Sequence, residues 1–199
     1  MKKNAVLKIA VTGGFSAIGF LFMLLEFPLS FLLPSFVKMD FSELPALIAA
    51  FSMGTPYGIL VCLFKNLCHL PFSATGGVGE LCNFLLGVAF TVPAGLIYRH
   101  RHTRRGAILG SVIGALVMAV CSLPINYFIS YPVYAKFLPI AEIIALYQSY
   151  LPSVDGLFSA LLIFNLPFTL VKGLLDTGLT FLIYKRLSPT IHRLTGVGK

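Results

Sequence analysis

Apolar runs approaching or exceeding the thickness of a bilayer recur along this chain, and no other feature constrains its fold so strongly. A helix needs about 20 apolar residues to cross the ~30 Å hydrocarbon core. Residues 7–25, 80–98, 106–128 and 157–184 approach or meet that length, the last with Pro167 inside it. Two shorter apolar segments, 44–53 and 57–70, flank Gly54-Thr-Pro-Tyr-Gly58. Each can serve as a crossing only if tilted or lining a cavity. Charged residues make up 11% of the 199 positions, against about 25% in soluble domains. A surface so poor in charge must face lipid. The sequence predicts an all-α integral membrane protein, a single six-helix domain over residues 1–199 built on these six spans.

The basic residues orient it. Of 15 lysines and arginines, eleven fall in three clusters: Lys2, Lys3 and Lys8; Arg99, Arg101, Arg104 and Arg105; Lys185, Arg186, Arg193 and Lys199. Basic loops stay in the cytoplasm, so both termini and the 99–105 loop read as cytoplasmic, with four spans before the loop and two after it. The same placement turns the net charge of +8 away from nucleic acid. The first apolar run continues past signal-peptide length without a small-residue cleavage motif, so it reads as a retained span. The chain has no Trp, which leaves Tyr127, Tyr131, Tyr134, Tyr147 and Tyr150 to supply an interfacial belt.

No enzyme signature is present: no H-E-x-x-H, no G-x-S-x-G, and no Gly-Lys-Ser/Thr after the glycines of Ser73-Ala-Thr-Gly-Gly-Val-Gly79. Cys62, Cys68, Cys82 and Cys121 sit in apolar runs, where cysteine acts as a small hydrophobe. Cys68-His69 has no second ligand pair at zinc spacing. The expectation is no catalytic residue, no metal and no cofactor.

Polar groups within a bilayer are expensive and tend to face a cavity. Here they are Asp40, Glu43, Lys65, Asn66, Glu80, Asn83, Asn126, Asn165, Thr169, Lys172 and Asp176. Asn165, Thr169 and Lys172 share one helical face, as do Glu80 and Asn83. Asp40, the 73–80 loop and Asn126 map to the outward ends of their spans. Together they describe a polar, mainly neutral ligand pocket open to the outside. Each has a plainer reading. Lys172 and Asp176, four apart, can neutralise each other. Lys65 and Asn66 can join helices. Asp40 can cap the helix after it, where Asp40-Phe-Ser-Glu43 precedes Pro45, and Asn126 can satisfy backbone freed by Pro124. On the first span, Ala10-x-x-x-Gly14 and Gly13-x-x-x-Ala17 form a face suited to close helix approach, either within the chain or with a partner.

Seven stretches carry a resemblance: Glu26-Phe-Pro-Leu; Lys38-Met-Asp-Phe-Ser-Glu-Leu-Pro-Ala-Leu-Ile48; Lys65-Asn-Leu-Cys-His69; Thr75-Gly-Gly-Val-Gly-Glu-Leu-Cys-Asn-Phe84; Val92-Pro-Ala-Gly-Leu-Ile-Tyr98; Asn126-Tyr-Phe128; and Pro167-Phe-Thr-Leu-Val-Lys-Gly173. In order over nearly the whole chain, they resemble the riboflavin-specific S component of energy-coupling factor (ECF) transporters, vitamin importers of prokaryotes. The resemblance implies a plasma-membrane subunit that captures riboflavin outside the cell as transported ligand. A transmembrane coupling protein and two cytoplasmic ATPases would then drive import. It implies ligand contacts at Met39, Asp40, Gly77, Gly79, Glu80, Asn83, Asn126, Thr169 and Lys172, and docking to the coupling protein through Ala10, Gly14 and Ala17. Thr169 departs from the asparagine that the Pro-Phe-Asn-x-x-Lys-Gly pattern leads one to expect. Rival readings are the same architecture with FMN or another vitamin, or a membrane flavoprotein in electron transfer.

Overall fold

The computed structural model describes residues 2–29, 34 and 37–195. Lys199 of the third basic cluster and residues 30–33 and 35–36 of the proline-broken connection lie outside the described residues. The helices are α1 (Lys2–Leu24), α2 (Leu44–Met53), α3 (Thr55–His69), α4 (Val78–His100), α5 (Arg104–Ile125), α6 (Tyr131–Tyr134), α7 (Ile140–Gln148), α8 (Leu157–Ala160) and α9 (Leu166–Thr195). Among the described residues, four helical stretches are long and apolar enough to cross a membrane: Ala5–Leu24, Val78–His100, Arg104–Tyr134 and Leu157–Ile183. Their outward side chains, such as Leu21, Leu96, Val120 and Leu182, are apolar. Such an exterior suits lipid.

The short helix α2 forms the centre. All ten of its residues are buried, against α1, α3, α4 and α9. At 1.5 Å per residue it is only about 15 Å long. A helix this short is tolerable at membrane depth because protein, not lipid, surrounds its ends. The break after α2 is tighter than residues 54–58 led us to expect. Gly54 alone separates α2 from α3, at φ 113°, where a Cβ would be strained. Pro56 then sits in the first turn of α3, where its missing N–H costs nothing. A Cβ on Gly58 would lie 2.6 Å from Thr91 Cγ2 and 2.8 Å from the Ala46 carbonyl oxygen. That absent side chain lets α2, α3 and α4 meet.

Among the described residues, two widened, π-type turns interrupt the helices at their ends opposite the 99–105 loop, at Asn126–Ser130 and Leu161–Asn165. Each is followed by proline two residues beyond its end, Pro132 and Pro167. Proline lacks an N–H and its ring collides with the carbonyl four residues back, which for both is the middle of the widened turn. The extra residue relieves that collision. The helix of the fifth span therefore runs on through α6, past residue 128, and the break expected at Pro167 falls a turn earlier.

The stretch between these turns carries α6, α7 and α8 joined by turns and has its own core of Tyr131, Ile143, Tyr147, Val154, Ala160 and Leu161. Tyr131 and Tyr147 are buried there, so they do not join the exposed belt expected of them, whereas Tyr127 and Tyr150 are exposed. The two buried phenols are accommodated because they hydrogen-bond to each other. At the same end of the molecule, a two-residue antiparallel ladder pairs Phe27 with Met39 and Pro28 with Lys38, and Lys38 forms an ion pair with Glu26.

Helix α1 buries Thr12, Phe15, Ser16, Gly19 and Met23 and turns Ala10, Gly13, Gly14 and Ala17 outward. Nothing lies within 4 Å of a Cβ built on Gly13 or Gly14. The small-residue face is not used for packing within the described chain.

Candidate functional site

A cavity of about 490 Å³ opens among the helix ends opposite the 99–105 loop, within the range of sites that enclose small organic ligands. Its lining brings together Asp40, Gly79, Glu80, Asn83, Asn126, Thr169 and Lys172, from segments spread over 130 residues. Met39 and Gly77 are not on this wall. Met39 is buried in the ladder with Phe27, and Gly77 lines a separate small crevice beside Leu70.

Lys172 Nζ donates to Asp40 Oδ2 at 2.6 Å. Asp40 Oδ1 accepts from the Ser42 backbone N–H at 2.8 Å, so Asp40 braces its own loop and holds a lysine from α9. It does not cap α2. Burial pushes the Asp40 carboxyl up, but Lys172 and Lys65, with the bonds from Lys172 and Ser42, outweigh that and hold it well below the usual carboxylate range. Asp176, the alternative partner four residues along, has neither carboxyl oxygen hydrogen-bonded among the described residues.

Glu43 stands at the start of α2 without making a side-chain cap. Its carboxylate accepts from Lys65 Nζ at 2.6 Å, and Lys65 also donates to Ser42 Oγ at 2.6 Å. Both members of this pair are almost wholly buried. Lys65 thus ties α3 to the mouth of α2, joining helices as expected and doing so through an ion pair as well as a hydrogen bond. Asn66 Nδ2 donates to the Cys62 carbonyl at 2.8 Å and reaches Asn83 Oδ1 at 3.3 Å.

The glycine-rich loop is organised from within. Ser73 Oγ accepts from Gly77 N at 2.8 Å and donates to Glu80 Oε2 at 2.6 Å. Gly79 N donates to Thr75 Oγ1 at 2.9 Å. The backbone donors of Gly77 and Gly79, two of the expected ligand contacts, are therefore engaged inside the loop. The other Glu80 oxygen, Oε1, pairs with His69 Nδ1 at 2.8 Å. His69 is thus a wall residue of the cavity, a role that reading it as half of a Cys-His pair did not provide.

Asn126 opens the first widened turn, and its Oδ1 accepts from Ser130 Oγ at 3.0 Å. Asn165 closes the second, one turn before Thr169 on the same face. Sequence reading put Asn165 on that face without making it a contact, assigned Tyr131 and Tyr134 to an interfacial belt and passed over Phe168; all three complete the wall. An alternation of aromatic and amide residues next to Pro132 and Pro167 was the available signal.

A cavity with apolar walls, a few placed amides and ion-paired lysines, set among lipid-compatible helices, defines a membrane protein that binds a small organic molecule. The family described as "ECF transporter, substrate-specific component" matches residues 7–184, and the chain belongs to it; it is a transporter component and not an enzyme. Riboflavin transporter RibU of Staphylococcus aureus is 33% identical over 179 residues, covering 90% of this chain and 89% of that one. Riboflavin transporter FmnP of Bacillus subtilis is 31% identical over 191 residues, covering 94% and 95%. A solved structure of the S component of a bacterial ECF transporter superposes with a TM-score of 0.72 at 30% identity, over 92% of this chain and 96% of that one.

Proposed function

We propose that this chain binds riboflavin in the cavity described above and delivers it to ECF partner subunits for ATP-driven import. The observation that carries the reading is the convergence of Asn126, Thr169 and the Lys172–Asp40 pair on one largely apolar cavity. Riboflavin combines a broad apolar ring, a uracil-like edge of donors and acceptors, and a hydroxylated chain. Amides suit the edge, lysine suits a ring carbonyl, and aromatic side chains such as Tyr134 and Phe168 suit the ring. Relatives named as riboflavin transporters support the same cargo. The wall also favours riboflavin over its phosphate. Glu26, Asp40, Glu43 and Glu80 line the cavity against Lys38 and Lys172, and each lysine is already paired with one of the acids. Among the described residues of the wall, a phosphate would meet carboxylates with no unpaired lysine or arginine beside it.

The reading includes a single membrane domain over residues 1–199 that crosses the plasma membrane six times, with spans near 7–25, 44–53, 57–70, 80–98, 106–128 and 157–184. Both termini and the 99–105 loop are cytoplasmic, which the basic clusters support. The cavity then faces outward. Partners are a transmembrane coupling protein, docked through Ala10, Gly14 and Ala17, and two cytoplasmic ATPases. The ligand contacts are Asp40, Gly79, Glu80, Asn83, Asn126, Thr169 and Lys172, with Met39 and Gly77 supporting their loops from behind. Mass spectrometry of small molecules released from the purified chain tests the cargo: riboflavin is expected, and another vitamin or FMN in stoichiometric amount would replace it.

A further inference from the structure

Asn165 is 6% exposed, lines the cavity and belongs to a buried hydrogen-bonded triad. Tyr147 OH donates to Asn165 Oδ1 at 3.0 Å. Tyr147 OH also bonds with Tyr131 OH. The three come from separate pieces of chain: Tyr131 from the first turn of α6, Tyr147 from α7, and Asn165 from the end of the second widened turn. Tyr131 and Tyr147 are 1% and 0% exposed.

The bond from Tyr147 sets the rotation of the Asn165 amide. An asparagine side chain offers two acceptor sites on oxygen and two hydrogens on nitrogen, and its two faces are nearly identical in shape. Which face meets a ligand is decided by what holds the other. Here Oδ1 accepts from the Tyr147 phenol, whose oxygen also bonds Tyr131, so turning the amide over would reverse both bonds of the triad. The nitrogen carries two hydrogens, and no hydrogen bond from either is found among the described residues. At least one N–H is left for the cavity.

We infer that Asn165 is a further ligand-binding and specificity residue, a donor that reads a hydrogen-bond acceptor on the ligand, and that Tyr147 is the positioning residue that keeps it a donor. The inference rests on the flavin reading of the cavity and names the acceptor class as a ring carbonyl or ring nitrogen. It places an amide one helical turn from Thr169, so this face presents Asn165, Thr169 and Lys172 in succession. Such a donor has a discriminating effect. A ligand with an N–H at that point would set two donors against each other in a site with little water, which costs more than the matching bond gains.

The test is a double-mutant cycle on the purified full-length chain, read by quenching of flavin fluorescence. Asn165→Leu should weaken riboflavin binding about 10-fold, and Asn165→Ala serves if the larger side chain disturbs folding. Tyr147→Phe removes one hydroxyl and should weaken binding about 3- to 10-fold in the parent, yet have no further effect in the Asn165→Leu background. That non-additivity distinguishes positioning from a general loss of packing, which would be additive. Asn165→Asp separates the roles again: its carboxylate still accepts from Tyr147 but donates nothing, so binding should fall at least as far as in Asn165→Leu. Parental affinity in Asn165→Asp, or the same loss for Tyr147→Phe in both backgrounds, overturns the inference while the flavin reading stands. A parent chain that binds no flavin overturns both.

Discussion

Lys172 and Asp40 stand 132 residues apart in the chain, and their side chains meet at 2.6 Å on the cavity wall. The contact fastens α9 to the loop that leads into α2. It also places a lysine where a ligand carbonyl can share its hydrogens, because an ammonium has three donors and Asp40 occupies one. Lys172→Met keeps most of the apolar stem and removes those donors. A hydrogen bond from a charged group contributes about 1.5–3 kcal/mol, so riboflavin affinity should fall roughly 10- to 150-fold. Asn126→Leu should lose a comparable amount. Flavin-fluorescence titration measures both, and unchanged affinity in the two variants would move the pocket elsewhere.

Thr169 offers one hydroxyl where an amide can donate and accept at once. Thr169→Asn should hold or improve riboflavin affinity in the same titration. A clear loss would mean that the wall has already adjusted to the smaller side chain, with Asn165 one turn away providing the amide.

The Glu43–Lys65 pair predicts a stability effect. Both side chains are almost fully buried, and removing one partner from such a pair typically costs about 3–5 kcal/mol, because the other is stranded. Lys65→Met should lower the thermal unfolding temperature of the detergent-purified chain markedly, and Glu43→Gln in the same molecule should recover part of the loss. An unfolding temperature indistinguishable from the parent in Lys65→Met would show that Glu43 is satisfied in some other way.

On α1, Gly14 faces outward with nothing within 4 Å of its missing side chain. Gly14→Leu therefore fits the isolated subunit without collision but blocks close approach of a partner helix. Vitamin uptake by cells carrying the variant should be abolished, while riboflavin binding by the purified subunit stays near parental. If binding and uptake fell together, the face would act within the subunit.

Topology is open to labelling in a parent from which the four native cysteines, including exposed Cys68, have been removed. Single cysteines at Lys3, Thr103 and Thr195 should react only when a membrane-impermeant reagent reaches the cytoplasmic side. Reaction of position 103 in intact cells would break the six-crossing arrangement.

The helices were largely legible from sequence because hydrophobicity along a run and helical spacing are local properties. The spans read at 80–98 and 106–128 lie within or over α4 and α5, and the 44–53 segment coincides with α2. Seven of the nine expected ligand contacts lie on one cavity. Polar groups too costly to place in lipid have few other places to go. The widened turns were not legible. Proline announces a disturbance, but whether a helix breaks, kinks or widens depends on what packs around it. Tyr131 and Tyr147 were misplaced for a related reason: composition ranks tyrosine as interfacial, and only an assembled core can supply each phenol with a buried partner.

Membrane residence, helical character and the small-residue face of α1 followed from the sequence alone, because each depends on residue type at a fixed spacing along one helix. Tertiary structure decided the partnerships. Lys172 has an acid four residues ahead on its own helix, yet it pairs with Asp40 from a distant loop. Asp176 is left without a hydrogen-bonding partner among the described residues. A helical neighbour is visible in any sequence. Which carboxylate comes to lie at 2.6 Å depends on how α2, packed on all sides by other helices, sets the loop before it against α9.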